Sequence, residues 1–472
     1  MNKTYITTAI PYVNGAPHIG HALDYLLADT YARYRQIQND KVRFQAGTDE
    51  HGNKIFQKAE ASGMPVEDYV AKNSQKFQDF IKKLGVKNTD FIRTTDPDHE
   101  KRCQEIWEKL SSHIYQDSYE GWYCEGCEGF VTQKEYDENN GICPDHQKPY
   151  QKLSETNYYL RISDFKDRIH NAIESNEMKI LPEFRKHEIL NLLADTPDVS
   201  ISRPKKHLSW GVPVPGDDSQ VMYVWMDALT NYITILGYPD QDISDWWPAT
   251  AQFVGKDILR FHAIIWPAIL LGLGLPLPKT IVSHGHVLCD GQKMSKSIGN
   301  VVDPLEAIEK HGLDTFRYFF LRHIDTFADS DFTWEKFENA YNNELANDLG
   351  NLVQRLATLA KKNNISLADN SQVNNDQTYA DLMDNFQFSK ALDYIWQQIQ
   401  NINKTIDEQK PWMLAKEEKR EQLEKVMQDL IVDLLKATYL LEPFLPETAQ
   451  KIHNIFTAEK INPPEKALFP KD

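Results

Sequence analysis

The sequence predicts an α/β protein: a doubly wound parallel-sheet domain, split by a cysteine-bearing insertion and followed by an all-α helix bundle. Three observations carry this expectation. Strand, helix and strand alternate from residue 4 to residue 46; the alternation breaks near Tyr115 and resumes after Arg203-Pro204; and from Asp303 onward apolar residues recur at helical spacing.

The first strand is expected over residues 4–10, a stretch rich in β-branched types. Pro11 to Pro17 form a Gly/Asn/Pro turn, after which Ile19, Leu23, Leu26, Leu27, Tyr31 and Tyr34 mark one face of a helix over 19–36. A second strand, 42–46, ends at the loop Gly47-Thr48-Asp49-Glu50-His51-Gly52. Strand-like segments at 252–255 and 280–283 restore the pattern. Residues 1–114 and 200–290 are therefore read as two halves of one nucleotide-binding domain and 115–199 as an insertion between them. Residues 291–335 form a linking region, and 336–472 a helical domain. In that domain Leu345, Leu349, Leu352, Leu356 and Leu359 make one apolar stripe, residues 423–441 make another, and the polar run 361–377 connects helices across the surface.

A chain of 472 residues suggests more than one core, and 41% hydrophobic content with 10 Trp, 21 Tyr and 21 Phe can supply several. That composition excludes a disordered or fibrous protein. The N-terminus lacks the make-up of a signal peptide, and the most apolar stretch, 263–277, carries Pro267 and Pro276 and is too short to span a bilayer. A cytoplasmic protein with no membrane partner is expected. The formal charge is −17, and residues 336–472 hold 16 Lys+Arg against 21 Asp+Glu, so a nucleic-acid partner would need a local basic face within an acidic whole.

Three motifs carry chemistry. In the turn from Pro11 to His21, His18 and His21 stand three apart and project from one side of a helix's first turn. Backbone N–H groups and the positive end of the helix dipole suit a polyphosphate there, and Gly20 lets a nucleotide lie against the backbone. Two histidines that merely cap the helix are the plain alternative. Lys293-Met294-Ser295-Lys296-Ser297 follows the turn Asp290-Gly291-Gln292 and places two ammonium groups on a loop that can close over pyrophosphate. No G-x-x-x-x-G-K-[ST] loop is present, and Gly272-Leu273-Gly274 lacks the third glycine of a dinucleotide motif. Finally, Cys124-Glu125-Gly126-Cys127 and Cys143-Pro144-Asp145-His146 offer three thiolates and an imidazole at the spacing of one closed, structural zinc site. Five cysteines, three of them clustered, do not make an even disulfide framework.

With His18-Ile19-Gly20-His21 preceding Lys293-Met294-Ser295-Lys296-Ser297, the chain resembles the class I aminoacyl-tRNA synthetases. It is most similar to the methionyl-tRNA synthetase family in its short, bacterial-type form, over essentially residues 1–472. The resemblance implies a Rossmann-like catalytic domain with a zinc-bearing insertion and a helix-bundle anticodon-binding domain. It implies a ligase of protein biosynthesis that activates L-methionine with ATP and Mg2+, then transfers it to the 3′ adenosine of tRNA(Met). Carried over by matching, His18, His21, Lys293 and Lys296 are catalytic and, with Gly20 and Asp257, bind ATP; Asp257 meets the ribose. Ile10, Tyr12, Trp225, Ala228, Tyr232, Ile258 and His262 surround the methionine side chain, Asp49 pairs its ammonium and Arg203 lies nearby.

The family has a zinc-bearing insertion at this place, often with four cysteines; here His146 replaces the last beside Cys124, Cys127 and Cys143. The segment Asp407 to Trp412 resembles the family's anticodon-stacking segment, and Asn343 and Asn347 sit where members hydrogen-bond anticodon bases. Trp412 packed inward, and a plain solvated face for the asparagines, are the competing readings. Leucyl, isoleucyl and valyl relatives need a larger editing insertion than the 85 residues of 115–199, and a cysteinyl enzyme would place thiols in the pocket, whereas Cys103 and Cys289 are isolated. A catalytically inactive tRNA-binding factor would not need His18, His21, Lys293 and Lys296 intact. A small-molecule nucleotidylyltransferase would explain neither the helix bundle nor Trp412. A monomer is expected, since the chain ends soon after the bundle.

Overall fold

The computed structural model describes residues 1–124, 126, 129–289, 291–293, 302–367 and 376–471. The chain divides into two compact units, one made of Met1–Pro17, Lys41–Lys82 and Lys87–Ser283, the other of His18–Asp40, Lys83–Val86 and His284–Asp472.

The first unit is built on a six-stranded sheet. Its strands are β1 (Lys3–Thr8), β2 (Lys41–Thr48), β3 (Asp90–Arg93), β4 (Lys179–Leu181), β5 (Ala251–Gly255) and β6 (Thr280–His284). They lie side by side in the order β3-β2-β1-β5-β6-β4. The pairs β3–β2, β2–β1, β1–β5 and β6–β4 are parallel, with Ile6 opposite both Phe44 and Ala251. Tyr5, Phe44, Phe253, Val254 and Ile281 are buried, as expected of parallel strands covered on both faces. The chain winds away from β1 in opposite directions, to β2 and to β5, which creates the crevice where such sheets hold ligands, beyond the carboxyl ends of the strands.

Two details differ from the sequence reading. β1 ends at Thr8 rather than continuing to Ile10: Ala9 still donates to the Phe253 carbonyl at 2.9 Å, but Pro11 has no N–H with which to extend the ladder. β4 lies inside the 115–199 stretch, so part of that segment joins the main sheet. Three residues, followed at once by Pro182, are too few to declare a strand by alternation. The rest of the stretch is anchored by a long antiparallel pair, Ile114–Cys124 with Gln151–Leu160, in which Ile114 faces Leu160 and Tyr123 faces Gln151.

The second unit is mostly helical. Its long elements are Ile19–Ile37, Leu313–Arg322, Asn351–Lys362, Phe388–Gln409, Arg420–Leu441 and Pro446–Phe456. Helix Ile19–Ile37, placed by sequence in the first half of the α/β domain, groups here because its side chains pack on helical partners. Tyr31 meets Phe386 with centroids 4.6 Å apart, and Tyr34 meets Tyr379 at 6.0 Å. Leu345, Leu349, Leu352 and Leu356 are buried as their spacing predicted, and Leu359 is partly buried. The stretch Ala340–Gly350, however, is wound as a π-helix, which a 3.6-residue repeat does not anticipate. A short strand, Ser330–Phe332, interrupts the almost wholly helical pattern expected from Asp303 onward and pairs with Val287–Cys289. Among the described residues no helix is long and apolar enough to cross a membrane.

Candidate active site

The loops after β1 and β2 are zipped together. Asp49 donates its N–H to the Pro11 carbonyl at 2.9 Å and accepts from the Val13 N–H at 3.1 Å, holding Tyr12 beside it. Gly52, at φ +116°, is required twice over: that backbone excludes most side chains, and a Cβ would lie 1.8 Å from the Tyr12 hydroxyl. The intervening Glu50 is locked by a two-point bond from Arg93 (2.8 and 2.7 Å) and by the hydroxyls of Thr48 (2.7 Å) and Thr95 (2.5 Å). Asp49 is thereby presented on a rigid turn as a buried carboxylate. Ile10, at the start of the β1 loop, lies over Gly47, where a Cβ would come within 2.9 Å of its methyl.

A second group comes from helix Val224–Thr234 and the segment after β5. The Tyr232 hydroxyl lies 2.8 Å from His262 Nε2, while His262 Nδ1 lies 3.0 Å from the Ile258 carbonyl. A carbonyl can only accept, so Nδ1 carries the proton and Nε2 accepts from Tyr232. Burial lowers the His262 pKa to about 4, which makes the ring neutral at physiological pH. Trp225 stacks on Phe261 with centroids 3.9 Å apart and meets His262 edge-on at 6.1 Å. Ala228 is buried on the same helix as Trp225 and Tyr232, and Ile258 is partly buried. His262 itself sits in a π-helical turn, Phe261–Ile265, a local winding that is frequent at functional sites. The result is an aromatic cluster around a neutral histidine.

Arg203 is buried, donates to Ser200 Oγ (2.8 Å) and the Ser202 carbonyl (2.7 Å), and lies 4.2 Å over the Tyr223 ring, just before the helix begins. Asp257 is exposed two residues beyond β5. The structure therefore brings Tyr12 to Asp49, and Trp225, Tyr232 and Ile258 to His262. It also adds a link that sequence reasoning missed: His51 Nδ1 lies 2.8 Å from Asp227 Oδ2, joining the loop of the first group to the helix of the second. The available signal was a lone carboxylate in the otherwise apolar run Val224-Trp225-Met226-Asp227-Ala228-Leu229, a charge that cannot be buried without a partner.

In the second unit, His18 and His21 cap helix Ile19–Ile37 reciprocally. The Gly20 N–H donates to His18 Nδ1 and the His18 N–H donates to His21 Nδ1, both at 3.1 Å. The rings are 3.8 Å apart. Since each Nδ1 accepts a backbone proton, each ring's own proton is on Nε2, which becomes a donor. Burial, reinforced by His18, holds His21 well below the usual histidine range. A Cβ on Gly20 would come within 3.1 Å of the His18 ring. The capping and the anion-binding readings of this turn are thus compatible: the caps orient the donors. Lys293 closes a short strand, Gln292–Lys293, paired with Val287–Cys289. Its side chain, and Lys296 altogether, lie outside the described residues.

Cys124, Cys143 and His146 bring their ligand atoms within 4.8 Å of one another, and Cys143 Sγ is 3.5 Å from His146 Nδ1. Bonds of about 2.0–2.3 Å at tetrahedral angles imply donor separations of roughly 3.6 Å, so the set fits a zinc ion. Gly126 leaves the needed room, since a Cβ would meet the His146 ring at 2.3 Å. Cys127 lies outside the described residues.

Asn343 and Asn347 are exposed on the π-helical stretch. Glu344 between them faces Arg322 (2.9 Å) and His323 (3.0 Å), fixing that turn, and Asn347 Oδ1 accepts from Lys471 Nζ at 2.5 Å. Trp412 is 41% exposed, which is against an inward-packed role. It follows Lys410, whose left-handed φ of 44° ends one helix, and Pro411, which starts the next. Asn403–Asp348 (3.1 Å) and Arg355–Asp407 (3.1 Å) hold that junction alongside the helix bearing Asn347.

The class I tRNA synthetase (M) family model matches residues 4–152 and 145–357. The methionine–tRNA ligase of Caldanaerobacter subterraneus subsp. tengcongensis is 42% identical over 473 residues, 96% of this chain and 74% of that protein. The methionine–tRNA ligase of Bacillus subtilis is 40% identical over 482 residues, 96% of this chain and 72% of that protein. The methionyl-tRNA synthetase of Mycobacterium tuberculosis in complex with methionyl-adenylate superposes with a TM-score of 0.92 at 36% identity, covering 100% of both chains. Its apo form gives 0.85 at 32% identity, covering 100% of this chain and 98% of that one. The chain belongs to the methionine–tRNA ligase family of class I tRNA synthetases.

Proposed function

We propose that this chain activates L-methionine with ATP and transfers the methionyl group to tRNA(Met). In the first step the methionine carboxylate attacks the α-phosphate, forming methionyl-adenylate and expelling pyrophosphate. In the second, a hydroxyl of the 3′ adenosine of tRNA attacks the activated carbonyl and AMP leaves. The observation that carries the choice of amino acid is the neutral lining around the Tyr232–His262 hydrogen bond. An unbranched, polarisable thioether fits aromatic faces, whereas a charged side chain would be left unpaired there.

Ile10, Tyr12, Trp225, Ala228, Ile258 and the Tyr232–His262 pair enclose the side chain; Asp49 pairs the ammonium, with Arg203 nearby. Fixing the ammonium and the thioether leaves the carboxylate unengaged as the nucleophile, so positioning supplies most of the catalysis. His18 and His21 offer Nε2–H donors to phosphate oxygens, next to a helix N-terminus and at Gly20, where no side chain intervenes. Lys293 and Lys296 stabilise the charge that builds on departing pyrophosphate. Asp257 bonds the ribose. Mg2+ accompanies ATP and neutralises phosphate charge when bound.

The helical region 336–472 serves as the anticodon-binding part, with Trp412 stacking on a base and Asn343 and Asn347 hydrogen-bonding. Cys124, Cys127, Cys143 and His146 hold one structural zinc that cross-links the tip of the 114–160 hairpin. The enzyme works as a cytoplasmic monomer. Amino-acid-dependent ATP–pyrophosphate exchange across the standard amino acids tests this reading. Methionine should drive exchange best; norleucine retains some activity, because an apolar pocket separates such side chains by only ~1–3 kcal/mol. Faster exchange with leucine or cysteine overturns it.

A further inference from the structure

We propose that His51 and Asp227 form a positioning pair that sets the two walls of the amino-acid pocket against each other. The proposal rests on the reading that Asp49 and the first turn of helix Val224–Thr234 flank the substrate.

The pair is placed for this role. His51 stands two residues after Asp49 on the loop that closes at Gly52; Asp227 stands between Trp225 and Ala228. Their side chains are 2% and 0% exposed, and Nδ1 and Oδ2 are 2.8 Å apart. On the far side of the ring, Nε2 lies 3.4 Å from Glu100 Oε1, and the Trp210 ring stands 5.5 Å away. Trp210 in turn grips the loop's backbone, donating Nε1–H to the Glu50 carbonyl at 2.6 Å and accepting from the Gly52 N–H at 3.1 Å. Those contacts, and the Arg93–Glu50 pair, make the loop rigid. Other contacts hold the later turns of the helix: Gln45 bonds Asn231 at 2.5 Å, and Tyr5 bonds the Tyr232 carbonyl at 2.9 Å. His51–Asp227 holds the first turn, which carries Trp225 and Ala228.

The chemistry explains why an ion pair is used at all. Burying two charges is expensive, and an apolar pair of similar bulk is often as stable. What apolar packing lacks is direction: it fills space without fixing the separation of the groups to either side. A short, directional bond between two rigid elements fixes that separation to a few tenths of an ångström. The substrate ammonium at Asp49 and the thioether at Trp225 and Ala228 span the same separation. A shift there weakens methionine binding, while the residues assigned to ATP are not members of the His51–Asp227 contact.

Two double variants separate direction from packing. His51→Gln/Asp227→Asn keeps a neutral hydrogen bond; His51→Phe/Asp227→Leu keeps bulk without one. Both are compared with the unaltered protein by methionine-dependent ATP–pyrophosphate exchange at varied methionine and varied ATP, with thermal unfolding alongside. The apolar pair is expected to raise the methionine KM about tenfold or more with kcat and ATP KM nearly unchanged, the signature of a lost contribution to holding methionine rather than to the chemical step. The amide pair should stay within about threefold of the unaltered enzyme. The proposal is overturned if the folded apolar pair binds methionine as well as the amide pair does. It is equally overturned if kcat, both KM values and Tm all worsen together, which marks a merely structural role. If the apolar pair does not fold, the amide pair decides: a methionine KM raised as far as in the single variant His51→Gln overturns the proposal, and one near the unaltered value supports it. Absence of methionine-dependent exchange in the unaltered protein would instead refute the functional reading itself.

Discussion

Arg317 and Asp29 form an ion pair 2.8 Å long with both side chains shut away from solvent. Arg317 also donates to the Phe444 carbonyl at 2.7 Å and the Pro443 carbonyl at 3.0 Å, so one guanidinium ties helix Ile19–Ile37, helix Leu313–Arg322 and the turn before helix Pro446–Phe456. Asp29 keeps a second partner, Arg33 at 2.6 Å, but the two carbonyls would lose this donor. Arg317→Met should therefore cost about 3–5 kcal/mol, the usual penalty for breaking a buried pair from one side. Urea unfolding measures it; a loss below about 1 kcal/mol would mean that the site relaxes or admits water.

The pH dependence of stability should be bounded on both sides by named histidines. Burial lowers His262 to about 4 and His99 to about 3, both below the usual 6.5, so the unfolded chain binds more protons in that window. Stability is then lost as pH falls from 6.5 toward 4, by about 3 kcal/mol for His262 alone. His51 runs the other way. Burial would lower it, but the Asp227 carboxylate outweighs burial and raises it to about 10. Its contribution is full below 6.5 and fades as pH rises toward 10. Denaturant unfolding from pH 4.5 to 9.5 should show a maximum near neutrality, and His51→Gln should flatten the alkaline limb. A profile that only rises with pH contradicts the His51 assignment, and one that only falls contradicts those of His262 and His99.

Metal analysis of the purified protein should find one zinc per chain. Cys127→Ser should release it and loosen the 114–160 hairpin, because binding energy at such a site is folding energy. Methionine activation should fall less than zinc content does, since none of the four ligands is among the residues assigned to methionine or ATP. A count of zero or two contradicts the four-ligand set.

Trp412→Ala should weaken tRNA charging while sparing methionine-dependent exchange. Stacking on a base is worth ~1–3 kcal/mol, so kcat/KM for tRNA should drop ~5- to 150-fold. Because Trp412 is 41% exposed, Tm should hardly move. Equal losses in exchange and stability would make it a packing residue, and charging that ignores changes in the CAU anticodon would remove the bundle's reading role altogether.

Periodicity alone marked most of β1, helix Ile19–Ile37 and β2, because each repeats at the period of its own backbone and is long enough to count. It also marked the buried leucines of residues 345–356. The histidine turn was legible for a related reason: its donors are close in sequence, so local geometry settles which way they point; of the cysteine knuckles, Cys124, Cys143 and His146 come together, and Cys127 lies outside the described residues. Contacts between distant residues were not legible. β4 was missed because three residues carry no measurable period, and only a neighbouring strand makes them part of the sheet. The π-helical winding at 340–350 departs from the 3.6-residue repeat, and the contacts of Arg322 and His323 with Glu344 inside it are encoded by no repeat within the helix. The sequence by itself determined the long strands and helices and which side chains carry donors. Only the tertiary structure decided that His262 is neutral and His51 charged. The two rings are chemically identical, and their protonation follows from what burial places beside them: a tyrosine hydroxyl and a carbonyl in one case, the carboxylate of Asp227 in the other.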